Sequence, residues 1–435
     1  MGYLRQVWSR SKGYRVILTI VVIYAVLRLA AHGVFLAGMV MSGETEGYDL
    51  QVYLDAASRL QLQQSLYPTG MFDRIEFYQY SPAYALVFIP FLQLPLAVVM
   101  LVLTLLHLVA YGLLYVWWGR IFQRLGLKEA CETLARLLPL WLIFSAFWSD
   151  LGYLNVYILM ALLATLLVDA VLDGRLGWAV LWLSVILQIK PQWAFAAALP
   201  LFLGQRRFFF KLVVLTVGAY AAVVGCTMLA VGPSYTWQQY SDYFYLLFKL
   251  LRQNYLWRTL ADGFLGYNHS ITQTVVYLLG VSPGTLRLAT IIKALLLLPL
   301  AAAGLRHLRH PADRRGGGTP LLSLDLAFAL YLGAFIWLEV VWELSLGIAL
   351  FTYLLATLDR RVARCVAWVV FLLYALTDIW RLFSIALLGP RAMGTGPYFL
   401  TDYSVYIPLT MIVILTFYVL LIKRLWLVPE PQVEG

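Results

Sequence analysis

Lys190 stands inside an apolar run, Leu187-Gln188-Ile189-Lys190-Pro191-Gln192-Trp193. A lysine in such a run is costly in lipid unless it is paired or wet. It is therefore either a functional cation or a side chain snorkelling to the interface. Glu339 and Glu343 lie four apart in a second apolar run, from Ile336 to Leu344. That spacing places them on one face of a helix. Intramembrane carboxylates are functional candidates by default, the alternative being a helix end exposed to water. Asp49, in Gly47-Tyr48-Asp49-Leu50-Gln51-Val52-Tyr53, precedes an amphipathic stretch from Tyr53 to Leu60. An acid there is an N-cap or a working carboxylate. Carboxylates accept protons and bind hydroxyls, and a desolvated cation holds an anion.

Other polar residues are less pointed. Asp150 and Asn155 bracket a polar break, Ser149-Asp150-Leu151-Gly152-Tyr153-Leu154-Asn155, and either line a site or cap short helices. Arg252 and Arg258 sit in an aromatic loop, and Asn268 and His269 close it. His32 and His107, each alone in a helix, read as structural polar residues. Asp378 and Arg381, three apart, are expected to pair.

The elements that must hold these residues follow from composition. Of 435 residues, 62% are hydrophobic and 12% charged, about half the charge of a soluble domain. That excludes a soluble enzyme, a disordered chain and a nucleic-acid-binding domain. The apolar runs are continuous rather than alternating, which argues against a membrane β-barrel. The expected fold is all-α and polytopic, with about 11 to 13 spans, some short and broken. The net charge of +10 falls in short basic clusters between apolar runs, such as Arg120/Arg124, Arg206/Arg207 and Arg360/Arg361. Such clusters mark cytoplasmic loops, so neither a nucleic acid nor a soluble partner is implied. Both termini are expected on the cytoplasmic side, with the first helix retained. Two large polar segments, 42–82 and 232–284, then face the far side. The three cysteines have no metal-ligand spacing, and residues 1–435 read as one membrane unit.

On the far-side loop after the first helix, the chain reads acid-x-x-Val-Tyr at Asp49, then Leu66-Tyr67-Pro68, then Tyr80-Ser81-Pro82. This pattern resembles the GT-C glycosyltransferases, and more narrowly glycosyltransferase family 87, the polyprenyl-phosphate-mannose-dependent mannosyltransferases. Further pieces agree in order. Gly152-Tyr153-Leu154-Asn155 is similar to a Gly-Gln-x-Asn turn, Lys190-Pro191-Gln192 to a Lys-Pro-x break, Asn268-His269-Ser270 to an Asn-x-Ser turn, and Trp342-Glu343 to the start of a Trp-acid-His motif. The chain departs from the family at Tyr48, where Gly commonly precedes the acid, at Tyr153 in place of Gln, and at Leu344 in place of His.

The resemblance implies a GT-C architecture with loop 42–82 catalytic and loop 232–284 substrate-binding. It implies an inverting transfer of a hexose, most simply mannose, from a polyprenyl-phosphate donor to a glycolipid or membrane-anchored glycan. Asp49 would be the general base. Lys190 would meet the phosphate, with Arg252 and Arg258 as weaker candidates for that work. Tyr153, Asn155, Asn268, His269, Glu339, Trp342 and Glu343 would bind substrate, the glutamates through sugar hydroxyls over Trp337 or Trp342. The setting would be a prokaryotic plasma membrane with the active site on its extracytoplasmic side. No Asp-x-Asp pair or glycine-rich nucleotide loop is present, so no cofactor or metal is expected and a lipid-linked donor is favoured over a nucleotide sugar. The rival is a transporter or flippase of a lipid-linked or amphipathic substrate, since broken helices and intramembrane charges also mark transporters. A polysaccharide ligase or polymerase using the same donors is a second enzyme reading.

Overall fold

The computed structural model describes residues 2–42, 49–67, 78–250, 268–309, 320–388 and 406–427, and no strand forms among them. Six of the described helices are long and apolar enough to cross a bilayer: Lys12–Ser42, Leu96–Arg124, Arg206–Val231, Pro283–Leu308, Pro320–Trp337 and Leu409–Trp426. A bent pair, Lys128–Arg136 with Leu138–Tyr153, turns by 54° at its break and makes a seventh if counted as one span. Pro82–Gln93, Tyr157–Leu172, Leu176–Ile189 and Gly347–Thr357 are shorter apolar helices. The protein is thus a polytopic all-α membrane protein. The expectation of about 11 to 13 spans counted the short helices as full crossings.

Helix length sorts the bundle into a wall and a floor. The Lys12–Ser42 helix has 31 residues and the Leu96–Arg124 helix 29, so each runs for more than about 40 Å. Only 11% of the apolar window of the first is buried, against 72% for Pro320–Trp337. Long helices therefore face lipid, and shorter ones fill the middle. In Gly347–Thr357 every residue from Gly347 to Leu354 is buried.

Four inner helices begin or end beside the basic clusters and stop early. Leu176–Ile189 has 14 residues, Arg361–Ala375 has 15, Tyr157–Leu172 has 16 and Pro320–Trp337 has 18. The first three reach about 21 to 24 Å, short of a hydrocarbon core of about 30 Å, and Pro320–Trp337 is among the shortest of the candidate spans. Their ends away from the basic clusters lie at about one level, a floor.

Each stop has a local cause. Pro191 disfavours helical backbone at Lys190, which is extended at φ −138°, ψ 91°. Leu154 adopts a left-handed φ of 50° and ψ of 40°, ending the Ser145–Tyr153 helix. A branched residue in that region costs about 1–2 kcal/mol. Residues 338–346 are not helical. This corrects the expectation of Glu339 and Glu343 on one helix face.

At the basic end two buried carboxylates are paired. Asp169 binds Arg124 (2.8 Å) and Arg175, and Asp325 binds Arg424 (3.0 Å). At the far end, Asp49–Gln61 is an amphipathic helix that buries Leu50, Tyr53, Ala57 and Leu60. This i, i+3, i+7, i+10 spacing is the one expected of a helix lying on a surface. The chain after it docks on the Pro233–Tyr245 helix: the Leu66 amide donates to Gln239 Oε1 (2.8 Å) and the Tyr235 hydroxyl to the Gln64 carbonyl (2.6 Å). The two far-side segments therefore pack on one another.

Candidate active site

Tyr80 packs against Lys190 and lies within electrostatic reach of Asp49. The Tyr53 hydroxyl, four residues along the helix from Asp49, lies 3.2 Å from that of Tyr80. The Tyr53 ring packs edge-on against Tyr80 and Tyr84 at 5.3 and 5.4 Å. The Asp49 carboxylate acts electrostatically on all three hydroxyls. From the other side, the Lys190 ammonium lies 5.2 Å from the centre of the Tyr80 ring and 4.3 Å from that of Tyr157. Each contact of this kind is worth about 0.5–2 kcal/mol. The Ser81 amide donates to the Gln188 carbonyl (3.2 Å), fastening the Tyr80 segment to the end of the helix that carries Lys190. Among the described residues Lys190 makes no ion pair, and its ammonium lies against two ring faces.

The turn below Lys190 is built by buried polar groups. Asp150, 2% exposed, accepts from the amides of Tyr157 (3.0 Å) and Ile158 (2.8 Å), capping the Tyr157–Leu172 helix across the break. An acid also complements the positive end of that helix. His107 Nε2 lies 3.5 Å from Asp150 and bonds the Asn155 carbonyl, while its Nδ1 lies 2.7 Å from the Leu103 carbonyl. Asn155 Oδ1 accepts from the Val156 amide (2.7 Å). Asp150 and Asn155 thus both fix the turn, and Asp150 lies within electrostatic reach of Lys190.

The turn also presents Tyr153, whose ring meets Trp342 edge-on at 5.0 Å. Trp342 belongs to the unwound stretch 338–346, whose backbone is held by side chains from elsewhere. Asn268 donates to the Glu339 carbonyl (2.9 Å) and accepts from the Val341 amide (2.9 Å). The His269 amide donates to the Val341 carbonyl (2.7 Å), and its Nδ1 lies 2.7 Å from Thr410 Oγ1. Thr410 in turn donates to the Trp342 carbonyl (2.9 Å). Lys293, 1% exposed, ion-pairs with Glu339 (3.0 Å) and donates to the Trp337 and Leu338 carbonyls (3.3 and 3.2 Å). Glu343 turns away from Glu339 and accepts from the Tyr374 hydroxyl (2.7 Å). Two carboxylates placed together by a helical period are separated because the helix unwinds between them.

The sequence-predicted residues therefore divide. Asp49 and Lys190 converge on Tyr80. Tyr153, Trp342 and Glu343 gather beside the turn. Asn268, His269 and Glu339 bind backbone and neighbouring side chains beneath that group. Arg252 and Arg258 lie outside the described residues, as do Glu44, Glu46, Asp73 and Glu76 of the far-side loop. Asp378 does not need Arg381: it pairs in bidentate fashion with Arg28 (3.1 Å for each contact) and accepts from the Tyr24 hydroxyl (2.7 Å). The Arg381 side chain lies outside the described residues. Sequence reasoning missed Lys293 and Arg28. Both are single cations inside apolar helices, and the criterion that singled out Lys190 applies to them equally.

No curated protein matches the chain. The family model of glycosyltransferase family 87 matches residues 78–324. The match takes in Tyr80, the 150–155 turn, Lys190, Asn268 and Lys293, and leaves Asp49 and the 338–346 stretch outside it. It covers more than half of the chain: the chain belongs to glycosyltransferase family 87 and is a membrane glycosyltransferase.

Proposed function

We propose that the protein moves a hexose, mannose by its family resemblance, from a polyprenyl-phosphate donor to a hydroxyl of a glycolipid or membrane-anchored glycan at the far, extracytoplasmic face. The observation that carries this reading is the convergence of Asp49 and Lys190 on Tyr80. The anomeric carbon of a sugar phosphate is already activated. Asp49 takes the proton of the acceptor hydroxyl while that oxygen bonds to the anomeric carbon. The bond from that carbon to the phosphate oxygen breaks, with inversion. The departing polyprenyl phosphate gains its negative charge beside Lys190, whose ammonium makes no ion pair among the described residues.

A floor sunk below the far membrane surface suits a donor whose sugar phosphate is tethered to a chain in the lipid. The test is transfer from a short-chain polyprenyl-phosphate mannose to endogenous acceptors in membranes holding the parent or the Lys190→Ala protein. Transfer that requires Lys190 supports the reading. Transfer at the parental rate without Lys190 overturns the assignment of the phosphate.

A further inference from the structure

Beside the 150–155 turn is a recess of about 50 Å³ with a mixed polar and apolar lining that does not include Lys190. It is lined by Arg28, Ser149, Gly152, Tyr153, Glu343 and Asp378 among others. These residues come from helices far apart in the chain, yet they share one level. Arg28 lies 13 residues beyond Arg15 on its helix, so it is about 20 Å from the basic end. Asp378 follows the 15-residue Arg361–Ala375 helix and so lies at about 22 Å. The recess is therefore part of the sunken floor. A volume of that size holds about three or four water-sized groups, or one edge of a sugar ring.

Its chemistry differs from that of the Lys190 side. The guanidinium of Arg28 is already bound in bidentate fashion by Asp378, and Glu343 adds a second carboxyl, 3% exposed. Carboxyl oxygens accept hydrogen bonds from hydroxyls, and the half-buried ring of Tyr153 offers an apolar face to the C–H edge of a sugar. Two carboxyls against one guanidinium leave the recess without a cation to offer a phosphate. The floor thus holds Lys190, a cation without an ion pair among the described residues, and a separate carboxyl-lined recess.

We propose that this recess is a subsite for a neutral, hydroxyl-rich sugar, the terminal residue of the acceptor glycan. This rests on the reading in which Lys190 takes the donor phosphate, and extends it by assigning the acceptor a separate place. Gly152 gives a direct handle. It lines the recess, and a Cβ built on it meets nothing within 4 Å. A larger side chain at 152 enters the recess without displacing the turn.

The experiment uses Ser149→Cys in the full chain with Cys131→Ala, Cys226→Ser and Cys365→Ser, in lipid nanodiscs. The rate of alkylation by iodoacetamide is measured with octyl α-mannoside or octyl phosphate present. The subsite predicts that octyl mannoside slows alkylation by about fivefold or more and octyl phosphate by less than about twofold. Lys190→Ala keeps the protection by mannoside, so loss of transfer and loss of the subsite are read separately. A second measurement covers the case in which the Ser149→Cys protein does not fold. Gly152→Leu, in otherwise unaltered protein, raises the acceptor KM by about tenfold or more and leaves the donor KM unchanged. Equal protection by octyl phosphate, no protection by octyl mannoside, or an unchanged acceptor KM in Gly152→Leu each overturns the proposal.

Discussion

Lys293 and Glu339 form an ion pair at 3.0 Å between the Pro283–Arg309 helix and the unwound stretch that follows Pro320–Trp337. The same ammonium caps the end of that second helix through the Trp337 and Leu338 carbonyls. A helix that stops inside a membrane leaves carbonyls without partners, and these cost several kcal/mol each in lipid. Lys293 is thus what allows residues 338–346 to leave the helix and carry Trp342 and Glu343 to the floor.

Lys293→Met removes one partner of a buried pair and strands the other. The expected loss is about 3–5 kcal/mol. The double variant Lys293→Met/Glu339→Gln, which strands no charge, should lose less than Lys293→Met alone. Thermal unfolding in detergent measures both. Equal melting points for Lys293→Met and the parent would show that the pair does not hold the break.

Lys190 should behave in the opposite way. Its ammonium rests on Tyr80 and Tyr157 rather than on a carboxylate, so Lys190→Ala strands no partner and should melt close to the parent. Its loss should instead appear in transfer, which falls by roughly 30- to 1000-fold, or about 2–4 kcal/mol of phosphate stabilisation. Lys190→Arg should recover part of that rate. A Lys190→Ala protein that melts early and transfers normally would make the residue a structural one.

Much of this is legible in the sequence. Continuous apolar runs, the proline after Lys190 and the amphipathic period after Asp49 each carry their cause locally, and the structure follows them. The failures have one physical origin. Asn268, Lys293 and Thr410, some 45 to 75 residues away in the chain, unwind 338–346, and a helical period is blind to such bonds. Likewise Asp378 pairs with Arg28 across 350 positions, a partner that no local spacing could indicate. In the sequence Tyr80 stands out only as part of a motif. Its place between Asp49 and Lys190 depends on how three separate segments pack.

The direction of the protein in the membrane follows from the basic clusters. Ser65 and Ser234 are exposed, at the end away from those clusters, and Gln205 is exposed beside one of them. In a background without native cysteines, Ser65→Cys and Ser234→Cys should react with an impermeant maleimide on intact cells, and Gln205→Cys only after permeabilisation. The reverse pattern would place Asp49 and Lys190 on the cytoplasmic side.

The central claim is that Asp49 takes the acceptor proton. Asp49 opens its helix, and an acid there can be no more than a cap. Asn caps about as well as Asp, so Asp49→Asn separates the two roles. The deciding measurement is transfer of labelled mannose from a short-chain polyprenyl-phosphate donor by purified Asp49→Asn protein, with donor binding followed in parallel. The account predicts a folded protein that binds donor like the parent and transfers about 100-fold more slowly or worse. Near-parental transfer by Asp49→Asn would contradict it and leave Asp49 a helix cap.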